Sequence, residues 1–77
     1  MEVLLHSIVE GLVEDKTAIK IEVEEKSGEG VVIYRLNVAP DDMGRVIGKQ
    51  GRIAKAIRTI MRAGAIKHNQ KIMVEID

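Results

Sequence analysis

The 77-residue chain contains no cysteine, tryptophan or phenylalanine, and Tyr34 is its single aromatic residue. Without cysteine it can form neither a disulfide nor a thiolate metal site. It has no apolar run long enough to span a membrane, and Glu2 stands where a secretion signal would carry a basic residue. With 45% hydrophobic residues the chain can still bury a core, which must be aliphatic. We therefore expect one small cytoplasmic domain, residues 1–77, with no membrane association.

Acidic and basic residues are separated along the chain, although their charges cancel overall. Residues 1–34 carry eight acids and three lysines, which gives −5, and residues 35–77 carry nine bases and four acids, which gives +5. Between Gly44 and Lys71 there are eight bases and no acid. Such a block is typical either of a solvated helix face or of a surface that binds an anionic partner.

Hydrophobic periodicity predicts the order helix, strand, strand, helix, helix, strand. The expected helices are 3–14, a brief helix that starts within 39–42 and ends at 47, and a third from 51 or 52 to 65. The expected strands are 19–24, 31–38 and 71–76. The turn-like segment 26–30 predicts a hairpin between the first two strands. A right-handed crossover through the second and third helices would place the last strand parallel to the second. All three helices should then cover one sheet face, leaving Val31, Ile33 and Met73 on the other.

Candidate catalytic residues are sparse. Pro40, Asp41 and Asp42 are typical of a helix start, where the acids favour the positive end of the helix dipole. This capping role is favoured over a catalytic or metal-binding role for the two acids. His6 and His68 lie at opposite ends of the chain without an acidic or hydroxyl constellation. We therefore expect no enzyme activity, no catalytic residue, no metal site and no cofactor.

The most informative segment is GKQG, residues 48–51, which separates two predicted helices. Glycines without a Cβ allow a sugar-phosphate chain to approach the main-chain N–H groups. The helix that follows points its positive end at the same place, with Arg52 and Lys55 nearby. One glycine would usually serve for a purely structural turn. Two glycines bracketing Lys-Gln beside a basic helix therefore favour phosphate contact.

Other phosphate-binding loops do not fit this segment. A Walker loop needs four residues between its glycines, then Lys-Ser or Lys-Thr, after a strand. Here three residues separate Gly44 from Gly48, and a helix precedes the loop. A dinucleotide fingerprint also fails, because Gly28 and Gly30 are followed by Ile33 where a third glycine is required.

Residues 46–51, VIGKQG, resemble the G-x-x-G motif of the K-homology (KH) domain, whose loop clamps four backbone nucleotides of a single strand. The additional helix and strand before the core unit resemble the bacterial type II form. Residues 39–52 are similar to those of small single-KH bacterial proteins of the KhpA type. The resemblance implies an α+β fold of type II KH topology, with three helices on one face of a three-stranded mixed sheet.

The resemblance also implies a set of RNA-binding residues. The two loop glycines would allow backbone approach, and the neighbouring polar side chains would meet phosphates and sugars. Val46 and Ile47 would line the floor of the groove, with a role in the core as the alternative. The implied residues are Arg45, Val46, Ile47, Gly48, Lys49, Gln50, Gly51, Arg52 and Lys55. Because no exposed aromatic offers a stacking platform, we expect modest sequence selectivity.

Two classes of function remain open at the sequence level. The resemblance implies a single-stranded RNA partner and a homodimer or a heterodimer with a larger KH-domain protein. It also implies post-transcriptional regulation or RNA chaperoning, linked to cell shape, cell division and cell wall organisation. The alternative is a protein interaction module that uses the GKQG loop and the Val31 and Ile33 side of the sheet, with incidental RNA contact.

Overall fold

A computed structural model of the chain describes residues 1–26, 28 and 30–76. The described residues form α1 (Glu2–Glu10), β1 (Lys20–Lys26), β2 (Val31–Asn37), α2 (Met43–Ile47), α3 (Arg52–Lys67) and β3 (Lys71–Ile76). Short 3-10 turns occupy Lys16–Ala18, Pro40–Asp42 and Lys49–Gly51. This is the order of elements predicted from periodicity, and it confirms the α+β class.

The three strands form one mixed sheet in the order β1-β2-β3. β1 and β2 are antiparallel, with Ile21 opposite Leu36, and β2 and β3 are parallel, with Tyr34 opposite Val74. A parallel neighbour requires a long crossover, which α2 and α3 supply. Ser27 and Glu29, which belong to the predicted hairpin turn, lie outside the described residues.

The core lies between the helices and one face of the sheet. Its largest fully buried side chains are Leu5, Val9, Leu36, Val46, Ile57 and Met61. Tyr34, the one aromatic, is also buried there, and the other buried core side chains are aliphatic or methionine. None of the helices within the described ranges is both long enough and apolar enough to cross a membrane.

The uncovered sheet face is less apolar than predicted. Ile33 is only 4% exposed, because β2 is the central strand and the register places Glu24 and Met73 on either side of it. Arg35 follows Ile33 by two residues along β2 and therefore lies on the same face. Its guanidinium forms ion pairs with Glu24 and, at 3.1 Å, with Glu75. The hydrogen bonds that Arg35 donates to the carboxylates of Glu24 and Glu75 raise the pKa of its guanidinium. Charged side chains therefore surround a buried isoleucine on the uncovered sheet face.

α1 ends at Glu10, four residues before the predicted end. Gly11 disfavours continuation, and the N–H groups of Glu14 and Asp15 instead donate to the carboxylate of Asp42 at 3.2 and 3.1 Å. Asp42 is 3% exposed and makes no side-chain cap on its own helix. The capping prediction for Asp42 is therefore corrected: its carboxylate ties the loop after α1 to the start of α2.

Candidate nucleic-acid interface

α2, which precedes the GKQG loop, has one buried side and one exposed side. Val46 is fully buried among the core residues, whereas Gly44 and Ile47 are exposed. The side chain of Val46 therefore supports α2 from beneath. Of the two apolar residues expected at the groove floor, Ile47 presents its side chain at the surface.

Gly48 ends α2 in a conformation that a side chain would oppose. Its φ of 74° and ψ of 176° are rarely adopted by L-residues, and its N–H donates to the carbonyl of Gly44 at 2.9 Å. A Cβ at this position would lie 2.9 Å from the Cβ of Ile53 and 3.0 Å from its backbone nitrogen. Glycine is therefore required for the chain to turn from α2 into the loop.

Gln50 and Gly51 complete the loop in left-handed conformations. Their φ values are 57° and 74°, and the N–H of Gly51 donates to the carbonyl of Gly48 at 3.2 Å. Non-glycine residues in this conformation are strained, and such strain concentrates at binding sites. A Cβ at Gly51 would meet no atom within 4 Å in the described part of the molecule. Gly51 therefore leaves open space in front of α3.

α3 begins without the groups that usually stabilise a helix start. No side chain caps it, and its first turn contains no acid, although hydroxyl or carboxylate caps and early acids are preferred. Lys49, Arg52 and Lys55 are exposed at this end instead. The positive helix end and three cations together form a site suited to an anion.

The other predicted base at the site, Arg45, is paired with acids. Its Nη2 lies 2.8 Å from Oε1 of Glu14, and its Nε lies 3.4 Å from Oδ1 of Asp42. Lys49, Arg52 and Lys55 have no ion-pair partner among the described residues. Because acids compensate its charge, Arg45 adds less to the positive potential than these three bases.

Arg58 interrupts the basic face predicted along α3. Arg52, Lys55 and Arg62 are exposed, but Arg58 is half-buried and its Nε donates to the carbonyl of Val74 at 3.2 Å. This bond joins α3 to β3. Helical periodicity had predicted Arg58 on the exposed basic face, so its bond to Val74 was not expected.

A signal for the buried position of Arg58 was present in the sequence. At about 100° per residue, Arg58 lies about 40° from Ala54 and about 20° from Ala65 around the helix axis. Both alanines are buried. Arg58 therefore lies at the edge of the buried side, and its position could have been read from the helical periodicity.

Comparison with known proteins places the chain among KH domains. The family model described as KhpA/KhpB, KH domain, matches residues 2–76. The RNA-binding protein KhpA of Clostridium acetobutylicum is 51% identical over 76 residues, which are 99% of each chain. KhpA of Clostridium perfringens is 54% identical with the same coverage. KhpA of Listeria monocytogenes is 50% identical over 99% of this chain and 97% of that protein.

The fold is similar to part of Era. In Era from Aquifex aeolicus bound to GDP and aluminium fluoride, the match has a TM-score of 0.67 and 19% identity. In Era with MgGDPNP and nucleotides 1506–1542 of 16S ribosomal RNA, the TM-score is 0.61 at 19% identity. Each match covers 95% of this chain but 28% of the Era chain, so it shows the fold alone. Sequence and fold together establish that the chain belongs to the KhpA/KhpB family of KH domains.

Proposed function

We propose that this chain binds single-stranded RNA through the GKQG loop and the positive start of α3. The observation that carries the proposal is an uncapped helix start that faces open space at Gly51, beside Lys49, Arg52 and Lys55. Free N–H groups and the helix dipole bind phosphates in this arrangement. The relatives are named RNA-binding proteins, and one structural neighbour holds a ribosomal RNA fragment, which supports the same conclusion.

In the proposed complex the sugar-phosphate backbone lies against the loop and the bases enter the groove between α3 and β3. Gly48 and Gly51 admit the backbone, and the loop side chains contact phosphates and sugars together with Arg52 and Lys55. A single strand is favoured because its splayed bases can enter a groove that a duplex cannot. Selectivity is modest, because the one aromatic side chain, Tyr34, is buried and offers no stacking platform.

We further propose that the chain acts in post-transcriptional regulation as a homodimer or with a larger KH-domain protein. Exposed apolar side chains on α1 and α3 favour such self-association. Val3 is 79% exposed and Ile60 is 46% exposed, while Leu4 packs over Gly64, one turn from Ile60. The uncovered sheet face suits this role less well, because Ile33 is shielded.

The loop assignment is tested by the double substitution Lys49→Asp and Gln50→Asp. Both residues are exposed, so the fold should persist, whereas two carboxylates would now face phosphates. We expect binding to an eight-nucleotide single-stranded RNA to be lost in fluorescence anisotropy, with a free energy of unfolding no lower than that of the unsubstituted chain. The matched control is Lys20→Asp, which makes the same lysine-to-aspartate change at an exposed position of β1 and should bind normally.

Full binding by the double variant would reject the loop assignment. It would favour the interaction module, in which RNA contact is incidental to a protein partner.

A further inference from the structure

Past Arg58, the groove between α3 and β3 opens into a cavity of about 440 Å³, called here the distal cavity. Ile66, Ile72 and Met73 supply apolar walls, and Arg62 and Lys71 lie at the same cavity. Ile66 is 75% exposed and Met73 is 53% exposed, so two large apolar side chains stand uncovered here. A mainly apolar lining with a few polar groups is characteristic of ligand sites.

We propose that the distal cavity binds an unpaired base of the same RNA strand, beyond the four nucleotides held at the GKQG loop. The inference rests on the RNA-binding function proposed above. Charge favours this occupant, because Arg62 and Lys71 are cations and none of the lining residues within the described part of the chain is acidic. The surface therefore suits an apolar group that is attached to an anionic backbone.

The distal cavity lies on the same side of α3 as Lys55, which stands near the loop. Arg62 lies about 20° from Lys55 around the helix axis, and both are exposed. From Gly51 to Ile66 the helix rises about 22 Å. A strand stacked as in a duplex advances about 3.4 Å per nucleotide, so this distance holds at most about six nucleotides and fewer when the strand is extended. A strand held at the loop by four nucleotides would thus need at most about two more nucleotides to reach the cavity.

The chemistry of the walls suits a nucleobase. Ile66 and Met73 can contact the flat faces of a base, where thioether and methyl groups pack without a hydrogen-bond requirement. The side-chain amide of Gln70, which also lines the cavity, can both donate to and accept from a base edge. These contacts add affinity with little discrimination between bases.

A protein strand suits this site less well than a base. β3 is an edge strand of the sheet, and peptides often bind such edges by continuing the hydrogen-bond ladder. In this chain the Nε of Arg58 already donates to the carbonyl of Val74, in the middle of β3. A peptide that continued the sheet along β3 would have to displace this bond.

The test compares oligouridines of four and eight nucleotides by fluorescence anisotropy. The variant is Ile66→Ser with Arg62→Gln, two substitutions at exposed positions that leave the core intact. Its control is Val23→Ser, an exposed apolar residue on β1 that belongs to neither proposed surface. For each length the dissociation constant of the variant is divided by that of the unsubstituted chain, which cancels the larger number of registers on the longer RNA.

We expect the variant to weaken eight-nucleotide binding at least fivefold and four-nucleotide binding less than twofold, with Val23→Ser unchanged at both lengths. In methyl NMR spectra, the Met73 methyl signal should shift with the eight-nucleotide RNA and stay in place with the shorter one. Equal ratios at the two lengths would overturn the proposal. So would a change of oligomeric state in the variant without a change in RNA binding, which would assign the cavity to a second copy.

The Lys49→Asp and Gln50→Asp variant separates the two proposals. If it loses both RNAs while the cavity variant loses neither, only the distal cavity is rejected. If it binds both as well as the unsubstituted chain, or if the unsubstituted chain binds neither, both proposals fail.

Discussion

At the scale of single residues, the two glycines of the GKQG loop share a φ of 74° but differ in their surroundings. A Cβ at Gly48 would strike Ile53, whereas a Cβ at Gly51 would point into open space. The first glycine is therefore required for folding. The second, Gly51, has no side chain and so leaves free the surface at which we propose that the RNA backbone binds.

Alanine substitutions should separate these two roles. Gly48→Ala should lower the free energy of unfolding by about 2–5 kcal/mol, because backbone strain adds to a steric clash. Gly51→Ala should cost about 1–2 kcal/mol from strain alone but weaken RNA binding at least tenfold. Urea unfolding and RNA anisotropy of both variants measure these effects. Similar stability losses, or normal RNA binding by Gly51→Ala, would contradict the assignment.

What the sequence predicted at this scale depended on local patterns. The loop residues and the bases around it follow from a short motif and from helical periodicity. The roles of Asp42 and Arg58 were missed because their partners, Glu14, Asp15 and Val74, are 16 to 28 residues away. Helical periodicity indicates only that Arg58 lies at the edge of the buried side of α3, and no local pattern specifies the atoms that Asp42 and Arg58 contact.

At the scale of elements, α3 begins with bases where most helices place acids. A base in the first turn opposes the helix dipole, which costs about 0.3–1 kcal/mol in stability. We interpret this cost as the consequence of an anion site. Stability and binding should therefore respond in opposite directions to a charge reversal here.

Arg52→Glu tests this interpretation. It should raise the free energy of unfolding by about 0.5 kcal/mol, because a carboxylate suits the positive helix end, and should weaken RNA binding at least tenfold. Lys67→Glu, at the exposed C-terminal end of α3, is the control for helix charge and should lower stability instead. If Arg52→Glu lowered stability or left binding intact, the start of α3 would not be the anion site.

The predicted element boundaries agree closely with the structure where the local side-chain pattern determines them. The strands and the end of α2 were predicted within two residues at each described end, whereas Pro40–Asp42, predicted as the first turn of α2, form a separate 3-10 turn before it. α1 ended early because the carboxylate of Asp42 binds the N–H groups of Glu14 and Asp15, a long-range interaction that outweighs the helical pattern. Because Leu12 and Val13 continue the apolar spacing of a helix, the sequence predicted a helix that extends beyond Gly11.

At the scale of the whole molecule, the architecture was predictable because hydrophobic periods and the handedness of crossovers leave few arrangements. The character of the uncovered sheet face was not, because it depends on the register that sets Glu24 and Met73 beside Ile33. The exposed apolar surface suited to self-association lies instead on α1 and α3.

We expect a dimer in light scattering at micromolar concentration. Ile60→Glu should shift it toward the monomer, because a charge would be buried in the apolar contact, and should leave the fold intact at this exposed position. The control is Thr59→Glu, which adds the same charge at the neighbouring exposed position. A strict monomer at high concentration would reject self-association. An Ile60→Glu dimer as stable as the original would show that Ile60 on α3 is not part of the interface.

The most direct test of RNA binding at the loop is its salt dependence, measured with a four-nucleotide single-stranded RNA that carries a 5′ phosphate. Neutralising three or four phosphates should give a log–log slope of roughly −2 to −3, and a duplex should compete poorly. Lys49→Ala and Arg52→Ala should each reduce the slope by about 0.7, whereas Arg62→Ala should change it less. Equal binding of single-stranded and duplex RNA, with all three bases contributing alike, would show a merely basic surface on which GKQG is only a turn.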